Sequence, residues 1–266
     1  MTDLLEINNL SVDFPSRRGQ VAAVNKVSIA VAKGEVLGLV GESGAGKSTV
    51  GNSIINLLEP PGYISGGEII FDGNRIDQLS NEEMRKIRGA KIGTIFQDPQ
   101  TSLNPLMTIG KQLSETLIET LKISGSSARE KSIELLDSVG IPNPEPRLDA
   151  YPHQFSGGMR QRVVIALALA GDPDLVIADE PTTALDVSIQ KQILDLIKSL
   201  CKQRNLGVII VTHDIGVIAE IADRVAVMYN GQLVEQGKVE QVLQKPKHDY
   251  TKSLISAVPS GDQKLH

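Results

Sequence analysis

The 266-residue chain has no tryptophan, a single cysteine, and only four tyrosines and four phenylalanines. A lone Cys201 cannot close an internal disulfide, so the fold is no cystine scaffold. Long apolar runs are missing too. Val163 to Ala170 and Val208 to Val211 fall far short of the roughly 20 residues that cross a bilayer, so any membrane connection must come through a partner. The opening residues, Met1-Thr2-Asp3-Leu4-Leu5-Glu6, lack the basic start and apolar stretch of a signal peptide, which leads to the expectation of a cytosolic compartment. Positive charge is not in excess either: the net charge is −5 and the pI near 5.5. Lys and Arg are scattered rather than gathered into a stripe that neutralises a row of phosphates, so nucleic acid is not expected as a partner. His153, His248 and His266 show no ligand-like spacing, which argues against a structural metal.

What is present describes an ordinary globular chain, 41% hydrophobic with a mean hydropathy of −0.05. At this length roughly three quarters of the unfolded surface can be buried. Residues 4 to 14 and 21 to 31 read as short strands, and Glu35 to Val40 as a strand buried on both faces. A Gly-rich turn follows, then a helix over Ser48 to Leu58 with Val50, Ile54, Ile55 and Leu58 at helical spacing. Residues 66 to 76 and 91 to 96 are further strand candidates, and from about 106 to 140 Leu and Ile recur at helical intervals. The Pro-rich Ile141 to Pro146 breaks that pattern. Met159 to Ala170 resumes as a helix and Leu175 to Ala178 as a buried strand. Helix 188 to 203, strand 207 to 211, helix 214 to 221 and strand 224 to 228 complete the order, with a short helix and frayed end after residue 246. Alternating strands and helices predict an α/β fold, a mostly parallel sheet with helices on both faces, interrupted by a helical insertion.

Gly41-Glu42-Ser43-Gly44-Ala45-Gly46-Lys47-Ser48-Thr49 matches the phosphate-loop pattern in full, between a buried strand and a helix as that pattern requires. Its backbone N–H groups can close around phosphates at the positive end of a helix; Lys47 can reach the β and γ phosphates and the Ser48 hydroxyl can ligate Mg²⁺. The second element is Leu175-Val176-Ile177-Ala178-Asp179-Glu180, which delivers two carboxylates at the C-terminal end of a strand, where α/β sheets bind ligands. Asp179 suits the metal, and Glu180 can orient and deprotonate a water, which points to hydrolysis. The third is Phe155-Ser156-Gly157-Gly158-Met159-Arg160-Gln161-Arg162, another Ser- and Gly-rich helix start and so a second anion-binding N-terminus.

Together with Gln97 in Ile95-Phe96-Gln97-Asp98-Pro99, His213 in Val211-Thr212-His213-Asp214, and the Ala184-Leu185-Asp186 turn, this set resembles the ATP-binding cassette (ABC) ATPases over nearly the whole chain. The resemblance implies a P-loop NTPase (RecA-like) core of residues 1–96 and 163–245, with an N-terminal antiparallel β subdomain and an α-helical subdomain inserted at 97–162. Residues 1–245 would be the ATPase domain and 246–266 a short C-terminal helix and tail. It also implies ATP and Mg²⁺, with Phe14 stacking on adenine, Ser48, Gln97 and Asp179 at the metal, and Glu180, His213 and Gln97 as the catalytic set. Two cassettes would pack head to tail, Ser156, Gly157 and Gly158 of one closing on the γ-phosphate held by Lys47 of the other, with Asp186 crossing the interface. Phe155 and Met159 stand where the broad family usually has Leu and Gln. With Gln97 to Pro105 and His248 to Leu254, they look like the di- and oligopeptide/nickel importer branch. That branch implies a second ATPase subunit, identical or homologous, two membrane-spanning permease subunits, an extracytoplasmic solute-binding protein, and residence on the cytoplasmic face of the inner membrane. Peptides, nickel complexes or oligosaccharides would be the cargo. Many members carry a cysteine-rich C-terminal extension, and with one Cys no iron-sulfur cluster is expected here. A soluble ABC ATPase acting on nucleic acid or ribosomes is the alternative, and neither a sustained heptad repeat nor a second phosphate loop lies between Lys47 and Asp179 to support it.

Overall fold

In the computed structural model, which describes residues 3–16, 19–183 and 185–257, two sheets stack on a shared apolar layer. The first is built on a long hairpin, β1 (Leu5–Ser16) antiparallel to β2 (Gly19–Val31), with Leu5 opposite Val31 and Ser16 opposite Gly19. Then comes β3 (Val36–Val40), five buried residues without a polar side chain. Its pleat sorts them: Val36 and Val40 join the cluster on one face, Leu37 and Leu39 the cluster on the other. This is why a central parallel strand reads as an unbroken apolar run.

α1 (Lys47–Ile54) follows the Gly-rich turn and buries Val50 and Ile54 against the sheet. It stops short of the expected Leu58, because Asn56 adopts φ 49° and leaves Leu57 44% exposed. The expected strand over 66 to 76 is instead a hairpin, β4 (Tyr63–Phe71) and β5 (Asn74–Arg75), turning at Asp72-Gly73 with φ 47° and 75°. α2 (Asn81–Ile87) opens on a capping box between Ser80 and Glu83, and β6 (Ile92–Ile95) returns to the main sheet.

The middle is helical: α3 (Pro99–Ser102), α4 (Ile109–Leu121), α5 (Gly125–Ser138), α6 (Pro144–Arg147) and α7 (Gly157–Leu169). Lys122, at φ 55°, separates α4 from α5. α7 packs on both of those helices and also on β6, and it runs unbroken through residues 162 and 163. The helical body is thereby tied to the sheet by one continuous element.

The chain then alternates through β7 (Leu175–Asp179), α8 (Val187–Arg204), β8 (Gly207–Thr212), α9 (Ile215–Ile221) and β9 (Arg224–Tyr229). An antiparallel edge strand, β10 (Gln232–Lys238), and two short helices, α10 (Val239–Gln244) and α11 (Asp249–Ser256), follow. The six-stranded order is β10-β9-β3-β8-β7-β6, parallel from β9 to β6. Reading across it, the segments leaving the C-terminal ends of β3, β8, β7 and β6 are neighbours. They carry the Gly-rich loop, His213, the Asp179-Glu180 pair and Gln97, residues far apart in sequence.

Candidate functional site

The loop after β3 is wound tightly. Gly44 and Gly46 adopt φ 81° and 96°, conformations that a side chain resists. A Cβ at Gly41 would fall 2.2 Å from the Met228 carbonyl oxygen, so the loop's first residue presses on β9. Lys47, the first residue of α1, is buried, with its Nζ donating to the carbonyl oxygens of Gly41 and Glu42 at 2.8 Å each. Burial pushes its ammonium below the usual lysine range, against the pull of Glu180 and Asp179. The loop thus surrounds a positive charge, next to a helix N-terminus, with carboxylates at its rim. Glu42, Ser43 and Ser48 are exposed along it, Thr49 is half-buried and Ala45 is buried beneath.

β7 ends in the two carboxylates. Burial raises Asp179, only partly offset by the hydrogen bond from Ser48. Glu180 leaves the strand at φ 46°, an uncommon conformation for a residue with a Cβ, while its N–H donates to the Val211 carbonyl at 2.8 Å. That turn aims its carboxylate across the strand ends. His213 Nδ1 lies 2.7 Å from Oε1, Gln97 Nε2 donates to Oε2 at 2.9 Å, and Thr183 Oγ1 donates to Oε2 at 2.8 Å. Burial alone would raise Glu180, but the hydrogen bonds from His213 and Thr183 and the nearby charges of His213 and Lys47 outweigh it and hold the carboxyl below its ordinary value. The group is therefore ionised at neutral pH, with both oxygens already oriented.

The donor set fits Mg²⁺. Ser48 and Asp179 offer hard oxygens in mutual hydrogen-bond contact beside the loop, and Mg²⁺ characteristically takes one or two protein oxygens and completes its shell with water and phosphate. Among the described residues no group of three or more His, Cys, Asp and Glu side chains converges as a self-sufficient metal cage. Gln97 is brought onto Glu180 rather than onto the Ser48-Asp179 pair.

The second helix start lies elsewhere on the chain. Ser156 caps α7, its Oγ accepting from the Met159 N–H at 3.3 Å, and it is exposed, with Gly157 and Gly158 half-buried. Phe155 is a core residue, 4% exposed, beneath the Arg147 guanidinium. Asp186 caps α8 in the same way, accepting from the Ile189 N–H at 3.0 Å and the Ser188 hydroxyl at 2.8 Å, which hold its carboxyl below the usual range. Ala184, beside it, lies outside the described residues. Phe14 on β1 is half-buried and packs against Gly62, where a Cβ would fall 2.5 Å from its ring. The structure thus brings together Lys47, Ser48, Asp179, Glu180, His213 and Gln97, and leaves Ser156, Gly157, Gly158, Asp186 and Phe14 in separate contacts.

Two partners were not anticipated from the sequence. Thr183 reaches Glu180 because the chain turns back, the Thr183 N–H donating to the Glu180 carbonyl at 3.1 Å. Its place three residues after Glu180 is the signal that could have marked it. Tyr250 of α11 accepts from the Glu42 N–H at 2.9 Å across 208 residues, and nothing local in the sequence announces that contact.

A family model described as ABC transporter matches residues 24–183, and one described as the C-terminal region of oligopeptide/dipeptide transporters matches residues 234–266. The oligopeptide transport ATP-binding protein OppD of Bacillus subtilis is 52% identical over 270 residues, covering 100% of this chain and 75% of that protein. The dipeptide transport ATP-binding protein DppD of the same organism is 51% identical, covering 98% and 78%. Among solved structures, the dimeric ATP-binding cassette MJ0796, in a post-hydrolysis state bound to ADP and Pi, superimposes with a TM-score of 0.77 at 31% identity over 88% of this chain and 98% of that one. The cassette cbiO1 from Clostridium perfringens, part of the transporter complex cbiONQ, gives 0.79 at 29% identity over 92% of each.

Proposed function

The chain belongs to the ABC transporter family and is one of its ATPases, and from that premise we propose that it is the ATP-hydrolysing subunit of a peptide importer, working as a head-to-tail dimer on separate membrane subunits. The observation that carries this reading is Glu180. A carboxylate oriented by hydrogen bonds from His213, Gln97 and Thr183, beside a phosphate loop and an Asp179-Ser48 pair, is arranged to activate a water rather than merely to bind a nucleotide.

In this reading the N–H groups of Gly44 to Thr49 wrap the β and γ phosphates, and Lys47 exchanges its two loop carbonyls for phosphate oxygens. Ser48 and Asp179 would hold a Mg²⁺ ion, which when bound would supply positive charge beside the phosphates. Glu180 orients the attacking water and accepts its proton, and His213 fixes one carboxylate oxygen while Gln97 and Thr183 fix the other. Catalysis of this kind is mostly positioning and charge stabilisation. Ser156 and Gly158, exposed or half-buried and away from the chain's own loop, close on the γ-phosphate of a second subunit, identical or homologous.

Among the described residues no helix is long and apolar enough to cross a membrane. In this reading two permease chains carry the solute across, with a solute-binding protein on the far side and this chain on the cytoplasmic face. A cleft of about 320 Å³ between sheet and helical body, lined by Leu57, Arg88, Phe96, Thr116 and Leu167, suits a partner helix. Phe96, 45% exposed, adjoins Gln97, so an occupant of that cleft is one residue from the Glu180 network. Glu180→Gln tests the reading, because it keeps shape and removes the base. It should bind MgATP, hydrolyse it at least about 100-fold more slowly, and elute as a dimer in size-exclusion chromatography with MgATP. Turnover near the parent rate, or a monomer under those conditions, counts against the scheme.

A further inference from the structure

α11 is clamped to β10 at its start. Glu235 accepts from the Lys247 N–H at 2.9 Å with one oxygen and from the His248 N–H at 3.0 Å with the other, and His248 Nδ1 accepts from the Tyr250 N–H at 3.1 Å. The clamp delivers Tyr250 to the phosphate loop. Its ring lies against Tyr229, with centroids 4.2 Å apart, and its hydroxyl accepts from the Glu42 N–H. The Gly41-Glu42 peptide is therefore gripped at both ends: the carbonyl of Gly41 by Lys47, the N–H of Glu42 by Tyr250.

From this juxtaposition we infer that Tyr250 is a positioning residue of the phosphate loop, through which the C-terminal helix sets the affinity of the site for nucleotide. The inference rests on the proposal that the loop binds ATP, and it adds a control point outside the loop. The Glu42 N–H, already engaged, is not a phosphate donor. Its partner acts before ligand arrives, by fixing the peptide plane and hence where the rest of the loop and Lys47 begin. Without Tyr250 the plane can rotate, and nucleotide must reorder it on binding. A contact or modification that pulls α11 from β10 would act on ATP binding through the same bond.

The test uses the full chain and ATP itself. Tyr250→Phe keeps the ring on Tyr229 and removes only the acceptor, leaving a polar N–H without its partner. It should raise the Kd for ATP about tenfold, raise KM far more than it lowers kcat, and speed hydrogen exchange at the Glu42 amide, with the melting temperature little changed. Glu235→Ala, which opens the clamp without touching loop or ring, should weaken ATP binding in the same direction, and the double variant should be no weaker than the poorer single. A Kd for Tyr250→Phe within twofold of the parent, or lower than it, overturns the inference. Lys47→Ala separates the two failures: if it still binds ATP like the parent, the reading of the site is wrong. If Lys47→Ala loses binding while Tyr250→Phe does not change it, only the role of Tyr250 falls.

Discussion

The two Gly-rich helix starts make an instructive pair. Both present a serine and glycines at the head of a helix, and either alone could attract an anion. At the first, the loop closes on a buried Lys47, and the ends of β7 and β8 bring Asp179, Glu180 and His213 to its rim. At the second, Ser156 caps its own helix and Gly158 rests on Ile189, with none of those groups in contact. The first gathers a buried cation, two carboxylates and an imidazole around one helix start. The second shares the capping serine and the glycines but has none of those charged groups beside it, which is why the proposed dimer assigns it to the partner subunit's nucleotide.

Breaking each half in turn gives the largest expected effects. Lys47→Ala removes a charge-assisted contact to phosphate worth about 3 kcal/mol, so the Kd for ATP should rise about 100-fold in direct titration. Ser156→Ala should leave binding to the monomer near the parent value and instead lower steady-state turnover about 100-fold, as for loss of one donor to a developing oxyanion. Mixing the two variants sharpens the comparison. In a head-to-tail dimer, Lys47 of the Ser156→Ala chain faces Ser156 of the Lys47→Ala chain, so one composite site is intact and turnover should recover well above that of either variant alone. No recovery at dimer-forming concentrations would mean that each chain completes its own site.

The unequal legibility of these parts has a physical basis. The phosphate loop, β7 and the Ser156 helix start were readable because each needs a fixed run of neighbouring residues: glycines at positive φ, an apolar strand, a capping serine. Elements set by distant contacts were not. β10 shows no clean alternation, because it is an edge strand with a register shift between Leu233 and Glu235. α2 buries only Met84, so periodicity is silent there, although its Ser80 and Glu83 capping box was in plain view. The helix read as running to Leu58 shows the limit of periodicity itself, since Leu57 and Leu58 continue an apolar pattern after the backbone has left the helix at Asn56. Within the site the residue types were legible but not which oxygen each holds, and Thr183 and Tyr250 emerge only once the chain has turned back or the sheet order is known.

The same comparison predicts a stability contrast. Losing the Ser156 cap by Ser156→Ala should cost about 1 kcal/mol, lowering the melting temperature by about 2 to 4 °C in a chain of this size, a shift too small to explain a large loss of turnover.

A last test sets the glycines of the two loops against each other. Gly46 sits at φ 96°, and a Cβ there would fall 2.5 Å from the Ala23 carbonyl oxygen, which is backbone and cannot step aside. Gly46→Ala should therefore lower the unfolding free energy by about 3 kcal/mol, from the left-handed conformation and the clash together. At Gly158 the backbone is ordinary helix and the obstacle is a side chain, with a Cβ 2.7 Å from Ile189 Cγ2. Alanine is the better helix former by about 1 kcal/mol, which opposes the cost of moving Ile189. Gly158→Ala should thus stay within about 1 kcal/mol of the parent in urea unfolding of the monomer. Any turnover defect it then shows would come from the surface that Gly158 presents, because the fold beneath it would be intact. Equal losses of stability at Gly46 and Gly158 would erase the distinction between a tightly wound loop at positive φ and an ordinary helix start.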